Sequence, residues 1–179
     1  LKIQHHHAHI GSVMAEHGLA SCIGVAFDGT GYGLDGGVWG GEFFVCRGAE
    51  FERRASLSPI TLCGGDESSR DASLCAACHL ISAGALKTDG KYSCGEDRLA
   101  LITAALEHRV NTAESTSMGR LFDAVSAILG IRGYNTYEGE CAIALENTAA
   151  QAMDAGLQPY PLHMAILKNS NILRLDCGG

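Results

Sequence analysis

Residues 21–57 carry the pattern that most narrows the fold: three strand-like segments in immediate succession, with glycine at each link. Residues 21–27 (SCIGVAF) are a short continuous apolar run and read as a buried strand. Residues 28–33 (DGTGYG) read as a turn rich in residues that tolerate positive φ. Residues 37–47 (GVWGGEFFVCR) and 50–57 (EFERRASL) predict two further strands joined at Gly48. Links this short allow only an antiparallel meander, because parallel pairing needs a crossover. Ahead of the meander, residues 5–17 predict a helix stopped by Gly18. After Ser58 the pattern changes. Pro59 and residues 63–66 (CGGD) read as loop, and helices are predicted near 67–86, 96–110, 117–130 and 138–156. In the third helix Leu121, Phe122, Val125, Ile128 and Leu129 recur every three to four residues, which predicts a buried face. In the weakly patterned tail after Pro159, Ile172, Leu173 and Leu175 read as packing residues whose partner lies beyond the chain. The layout predicts an α/β catalytic domain: a meander with its helix (1–60), a helical portion (61–158) and a truncated tail (159–179).

Composition removes several classes of function. Hydrophobic residues make up 46% and charged residues 18%, which excludes a disordered chain. Thirteen Lys and Arg against 20 Asp and Glu leave a net charge of −7 and no basic run, so nucleic acid is not an expected partner. No apolar stretch reaches the ~18 residues a membrane span requires, and no membrane partner is expected. No signal-peptide pattern opens the sequence, which points to the cytoplasm. The start at Leu1 and the stop at Gly179 suggest a piece of a longer protein. Eight cysteines without a secretory signal read as reduced thiols. Cys75 and Cys78 have the spacing of a redox or zinc pair, but no second CxxC exists. They read as small apolar residues on one helix face.

The strongest chemical signal is Gln4-His5-His6-His7-Ala8-His9. On a helix, His5 and His9 lie one turn apart on one face, a spacing that suits two imidazoles on one divalent metal. A purification tag would not be interrupted by Ala8 and run into an amphipathic helix. His6 and His7 point elsewhere, to pack or to meet substrate. Two histidines leave a metal site open for an oxygen ligand, and Asp28, closing the first strand, is the candidate. Its competing role is that of a turn former. The backbone N–H groups around Gly29, Thr30 and Gly31 lack side-chain obstruction and suit a phosphate or acyl-phosphate-like group. The segment is neither a phosphate-binding GKS/GKT loop nor a dinucleotide fingerprint, since a strand follows it.

These residues occur in a collinear order: 4–9 (QHHHAH), 14–18 (MAEHG), 27–33 (FDGTGYG), 38–43 (VWGGEF), 64–66 (GGD), 118–125 (MGRLFDAV) and 137–139 (YEG) with Leu145-Glu146. The order resembles the C-terminal carbamoyltransferase region of the HypF family of [NiFe]-hydrogenase maturation proteins. That region is similar to the tRNA threonylcarbamoyl-transferases and antibiotic O-carbamoyltransferases. The resemblance covers most of residues 1–150 and little from about 151 onward. It implies the actin-like ATPase or sugar-kinase (ribonuclease H-like) fold. It implies Fe²⁺ or Zn²⁺ on His5, His9 and Asp28, and a nucleoside pocket lined by Gly119, Asp123 and Gly139. The implied reaction uses carbamoyl phosphate and ATP, through carbamoyl-adenylate, with Mg²⁺ an allowed companion of the nucleotide. The implied acceptor is the C-terminal Cys thiol of a HypE-type protein. His6 and His7 are candidate bases for that thiol on their own chemistry. The family's later Gly-Gly-Val-x-x-Asn segment, late Asp and upstream domains are not within residues 1–179, so the piece alone is expected to be inactive. Competing readings are a threonylcarbamoyl- or O-carbamoyl-transferase, a sugar or acetate kinase of the same fold, and an inactive metal-binding fragment.

Overall fold

The computed structural model describes residues 2–86, 94–159, 165–167 and 172–176. In chain order the elements are α1 (His5–Glu16), β1 (Ser21–Tyr32), β2 (Val38–Arg47), β3 (Glu50–Leu57), β4 (Ile60–Cys63), a 3₁₀ segment (Gly65–Ser69), α2 (Ala72–Ser82), α3 (Glu96–Glu107), β5 (Thr112–Ser115), α4 (Met118–Ile128), α5 (Glu140–Asp154), β6 (Ala165–Leu167) and β7 (Leu173–Asp176). They form two compact units. The first holds the described residues of Leu1–Pro59, Ser115–Met118 and Leu162–Gly179, and the second those of Ile60–Glu114 and Gly119–Pro161. No helix among the described residues is long and apolar enough to cross a membrane.

The first unit is built on the expected meander. β1 pairs antiparallel with β2, and β2 antiparallel with β3. α1 starts where the Gln4 side chain accepts the His7 N–H at 3.0 Å, and it stops where Gly18 takes φ +61°. Its buried positions are His6, Ile10 and Met14, four apart and therefore one stripe. That stripe lies on the inward side of β1. At Gly24 an added Cβ would stand 2.8 Å from Ile10 Cγ2, so the bare strand lets the helix approach closely. Ile10, Met14, Ala26, Trp39, Phe44 and Cys46 form the core. Each large side chain fully buried there contributes about 1.5–3 kcal/mol.

Three expectations change in this unit. Residues 28–33 are not a turn: β1 runs through them to Tyr32, with an irregularity between Phe27 and Gly31, and the chain reverses at 33–37 instead. β1 is not buried on both faces either. Ile23 (78% exposed), Val25 and Phe27 alternate outward while Gly24 and Ala26 face the core, because only one face of the strand meets α1. The apolar tail residues find partners within the chain: Leu173 and Leu175 stand opposite Ala55 and Leu57 in a parallel β3–β7 ladder, and β6 adds antiparallel to β7.

In the second unit β4 and β5, both absent from the expected elements, are neighbours. Gly64 and Gly65 take φ +92° and +56°, a backbone path that asks for glycine at the GGD turn. The expected helix 67–86 divides there into the 3₁₀ segment and α2, which Asp71 caps by accepting the Leu74 N–H at 2.9 Å. Cys63, Cys75 and Cys78 sit in the core with Leu62, Leu74 and Ile102. Burial pushes the Cys78 thiol up to about 12 and Cys75 up as well, as suits packing residues rather than reactive ones. Cys177 lies outside the described residues. The α4 expectation holds only in part: Leu121, Val125 and Ile128 are half-buried, with Ile128 against the core, but Phe122 and Leu129 are exposed and the fully buried residues are Arg120, Asp123, Ala124, Ser126 and Ala127. A buried polar network, described below, shares the inward face with Ala124, Ala127 and Ile128.

Candidate metal centre

His5 and His9 extend from one face of the first two turns of α1, their Nε2 atoms 3.1 Å apart. Asp28 faces them from the irregular stretch of β1, with Oδ2 2.9 Å from His5 Nε2 and 3.9 Å from His9 Nε2. The three donor atoms lie within 4.8 Å of one another. Four ligands placed tetrahedrally at 2.0–2.1 Å from a zinc ion stand about 3.3 Å apart, and the three observed separations bracket that value. Despite these short distances, Asp28 Oδ2 is buried and makes no aligned hydrogen bond. A carboxylate oxygen and two imidazole nitrogens, each within 4 Å of the others, form a donor set that suits a shared divalent cation.

Several contacts hold Asp28 in place. Its Oδ1 accepts the Gly29 N–H at 2.7 Å. The Ser117 hydroxyl donates to the carbonyls of Asp28 (3.2 Å) and Gly29 (2.7 Å). Glycine at 40 is needed because a Cβ there would strike the Asp28 carbonyl. Partial burial works to raise the Asp28 carboxyl, but the Gly29 N–H and the neighbouring imidazoles, His5 also by hydrogen-bond contact, outweigh it. The group therefore lies below the ordinary carboxylate value and is ionised at neutral pH.

A second layer lies beneath Asp28. Glu42 is fully buried on β2, where it accepts from Arg53 Nε at 2.6 Å, from the Thr116 hydroxyl and from the Gly40 N–H. Arg53 also reaches Asp35 at 3.0 Å and lies 3.9 Å over the Trp39 ring. The layer joins β2, β3 and the Ser115–Met118 segment that carries Ser117.

The other expected site residues are placed as follows. His6 is fully buried, with Nε2 3.4 Å from Asp28 Oδ2. His7 points away from Asp28, stacked on Phe51 at 4.7 Å and edge-on to Phe44. It lines a cavity of about 890 Å³ with Ile3, Met14, Leu19 and Phe51. Gly31 makes space rather than a turn: a Cβ there would fall on the His6 ring, 2.7 Å from Nε2. Gly29 spends its N–H on Asp28, and Thr30 donates its hydroxyl to the Gly29 carbonyl at 2.7 Å. Gly119, Asp123 and Gly139 belong to the second unit. Asp123 is enclosed there, accepting from Asn135 Nδ2 at 3.0 Å with Arg120 Nη2 3.1 Å away. Burial raises its carboxyl against the pull of Arg120 and Asn135. Asn135 also accepts the Cys141 N–H and donates to the Ser69 carbonyl, so this is the network that turns α4 inward. Gly139 takes φ +76° ahead of α5.

Sequence reasoning missed Gln4, Glu42, Arg53, Thr116 and Ser117. A lone carboxylate in the apolar strand VWGGEFFV and three successive hydroxyl residues ahead of α4 were the signals that could have found them.

A family model described as "Carbamoyltransferase, Kae1-like Domain, second subdomain" matches residues 24–176. The chain is 39% identical over 162 residues to Carbamoyltransferase HypF2 of Cupriavidus necator, covering 89% of this chain and 20% of that protein. The chain belongs to the HypF carbamoyltransferase family. Its fold agrees with a solved structure of full-length HypF in a phosphate- and nucleotide-bound form (TM-score 0.86, 35% identity, 98% of this chain and 23% of that one). It also agrees with HypF from T. kodakarensis (TM-score 0.79, 33% identity, 97% of this chain and 24% of that one). The α/β class and the resemblance read from the motifs are borne out. The family match continues to residue 176, well past the expected limit near 150, in keeping with the place of β7 in the sheet. The chain spans about a fifth to a quarter of the length of these HypF relatives.

Proposed function

We propose that the chain supplies the metal-binding part of a carbamoyltransferase site in [NiFe]-hydrogenase maturation. In this reading the intact enzyme forms carbamoyl-adenylate from carbamoyl phosphate and ATP and transfers the carbamoyl group to the C-terminal Cys thiol of a HypE-type protein, on the way to cyanide ligands. Support comes from the family, from the phosphate- and nucleotide-bound relative, and above all from the convergence of His5, His9 and Asp28.

His5 Nε2, His9 Nε2 and Asp28 Oδ2 would hold Fe²⁺ or Zn²⁺, which when bound supplies Lewis-acid stabilisation to a carbonyl or phosphoryl oxygen. In the transfer, the acceptor thiolate forms a C–S bond to the carbamoyl carbon. The C–O bond to the adenylate breaks, and AMP leaves with the electron pair. The chain's own part is to keep Asp28 ionised through the Gly29 N–H and neighbouring histidines, and to fix its backbone through Ser117. The geometry lends no support to His6 or His7 as base: His6 is enclosed, and His7 is turned into an apolar wall. In the second unit, Gly119 and Gly139 remain the proposed nucleoside-facing positions, whereas Asp123 is held by Asn135 and Arg120.

The test is His9→Ala in the intact parent protein, with bound metal and carbamoyl transfer to a HypE-type thiol both measured. Metal affinity should fall by more than about 100-fold, since even outer-shell partners cost 10–100-fold. Unchanged metal content with full transfer would remove the proposal.

A further inference from the structure

Gln4 has an unambiguous orientation. Its Oε1 accepts the His7 backbone N–H at 3.0 Å, and its Nε2 donates to the Tyr32 carbonyl at 3.2 Å. A backbone N–H can only donate and a carbonyl can only accept, so the amide cannot be turned around. The same Gln4 Nε2 stands 3.0 Å from His6 Nδ1. Facing a donor, Nδ1 must be the bare nitrogen, and the ring hydrogen of neutral His6 sits on Nε2. That Nε2–H is buried and unpartnered, and the Asp28 Oδ2 atom 3.4 Å away is buried and without an aligned bond as well. A buried ring N–H with no aligned acceptor among the described residues thus lies beside a carboxylate oxygen whose nearer neighbour is His5 Nε2 at 2.9 Å, and a small turn of the carboxylate lets it accept from His6. The same Cε1–Nε2 edge of the His6 ring packs against the bare Cα of Gly31.

We propose that His6 is a positioning residue: Gln4 keeps its hydrogen on Nε2, and His6 offers that hydrogen to the Asp28 carboxylate, aiming the carboxylate at the cation. His6 is then neither a ligand nor a proton acceptor. The aiming role rests on the metal reading of His5, His9 and Asp28, whereas the hydrogen's position on the ring does not.

The experiment uses the full chain with ¹⁵N-labelled histidine, metal-free, and then with Zn²⁺ as probe. Nitrogen NMR should show a bare Nδ1 and a hydrogen-bearing Nε2 for His6, and Zn²⁺ should leave that hydrogen in place. The variant Gln4→Glu keeps an acceptor for the His7 N–H, so the start of α1 survives, but it offers no hydrogen to Nδ1. In it Nδ1 should gain a hydrogen, and Zn²⁺ affinity, read by competition with a chromophoric chelator, should fall about 10–100-fold. A hydrogen on Nδ1 in the unaltered chain overturns the proposal. So does loss of the Nε2 hydrogen on Zn²⁺ loading, which would make His6 a ligand, or an altered Nδ1 with unchanged affinity. Should the unaltered chain bind no Zn²⁺, the metal reading fails and the aiming role with it. The metal-free spectrum then still decides the ring assignment.

Discussion

At Gly31 the whole side-chain cost of a single methyl falls on the proposed centre. The strand passes so close to α1 that an added Cβ meets both His5 and His6. Gly31→Ala should destabilise the chain by about 1–3 kcal/mol through overpacking and weaken metal binding together with it. A urea midpoint and a chelator titration on the same variant check both. His79 offers a separate prediction. Burial pushes its imidazole down to about 4 from 6.5, and its Nε2 is buried with no hydrogen-bond partner among the described residues. The fold therefore favours the neutral ring. Above about pH 6.5 this costs nothing. Between 6.5 and 4 the unfolded chain takes up a proton that the folded one refuses, and stability falls by on the order of 3 kcal/mol before levelling off. His79→Leu should lack this part of the acid loss when denaturation midpoints at pH 7 and pH 4 are compared. The three donor residues were legible in the sequence because helical spacing and an aspartate closing an apolar run are local signals, although β1 in fact continues past Asp28 to Tyr32. Gln4 and Ser117 were not, because their contacts depend on which carbonyls the tertiary fold brings beside them.

Among the elements, β2 and β3 carry the brace beneath Asp28. Glu42 and Arg53 are both nearly or fully enclosed, so either one alone would be an uncompensated buried charge. Arg53→Met should cost about 3–5 kcal/mol in a denaturant titration, and a loss under 1 kcal/mol would show that Glu42 is satisfied without it. The meander could be read directly, since short glycine links permit little else. The extent of β1 could not. Asp28-Gly-Thr-Gly-Tyr-Gly33 has turn composition, but in the sheet its glycines serve close packing: Gly31 makes room for His6 and Gly33 for Trp39. α4 misled for a related reason. Its apolar spacing is real, yet Arg120 and Asp123 turn inward because Asn135 and the carbonyl of Ser68 receive them there. Periodicity reports which face is apolar, and a satisfied polar network can still decide which face is buried.

For the whole molecule, the chain covers about a fifth of its relative from Cupriavidus necator, while the three donors of the proposed centre all lie in the first compact unit. Metal binding should therefore survive in the chain as it stands, whereas carbamoyl phosphate, ATP and a HypE-type acceptor should give no turnover with it. Turnover comparable to the intact enzyme would show that the remaining domains are dispensable. The most direct test of the account is anomalous diffraction from crystals of this chain soaked in Zn²⁺. The predicted result is a single strong peak about 2.0–2.2 Å from His5 Nε2, His9 Nε2 and Asp28 Oδ2. A peak on other residues, or those three side chains free of any ion at saturating Zn²⁺, would contradict it.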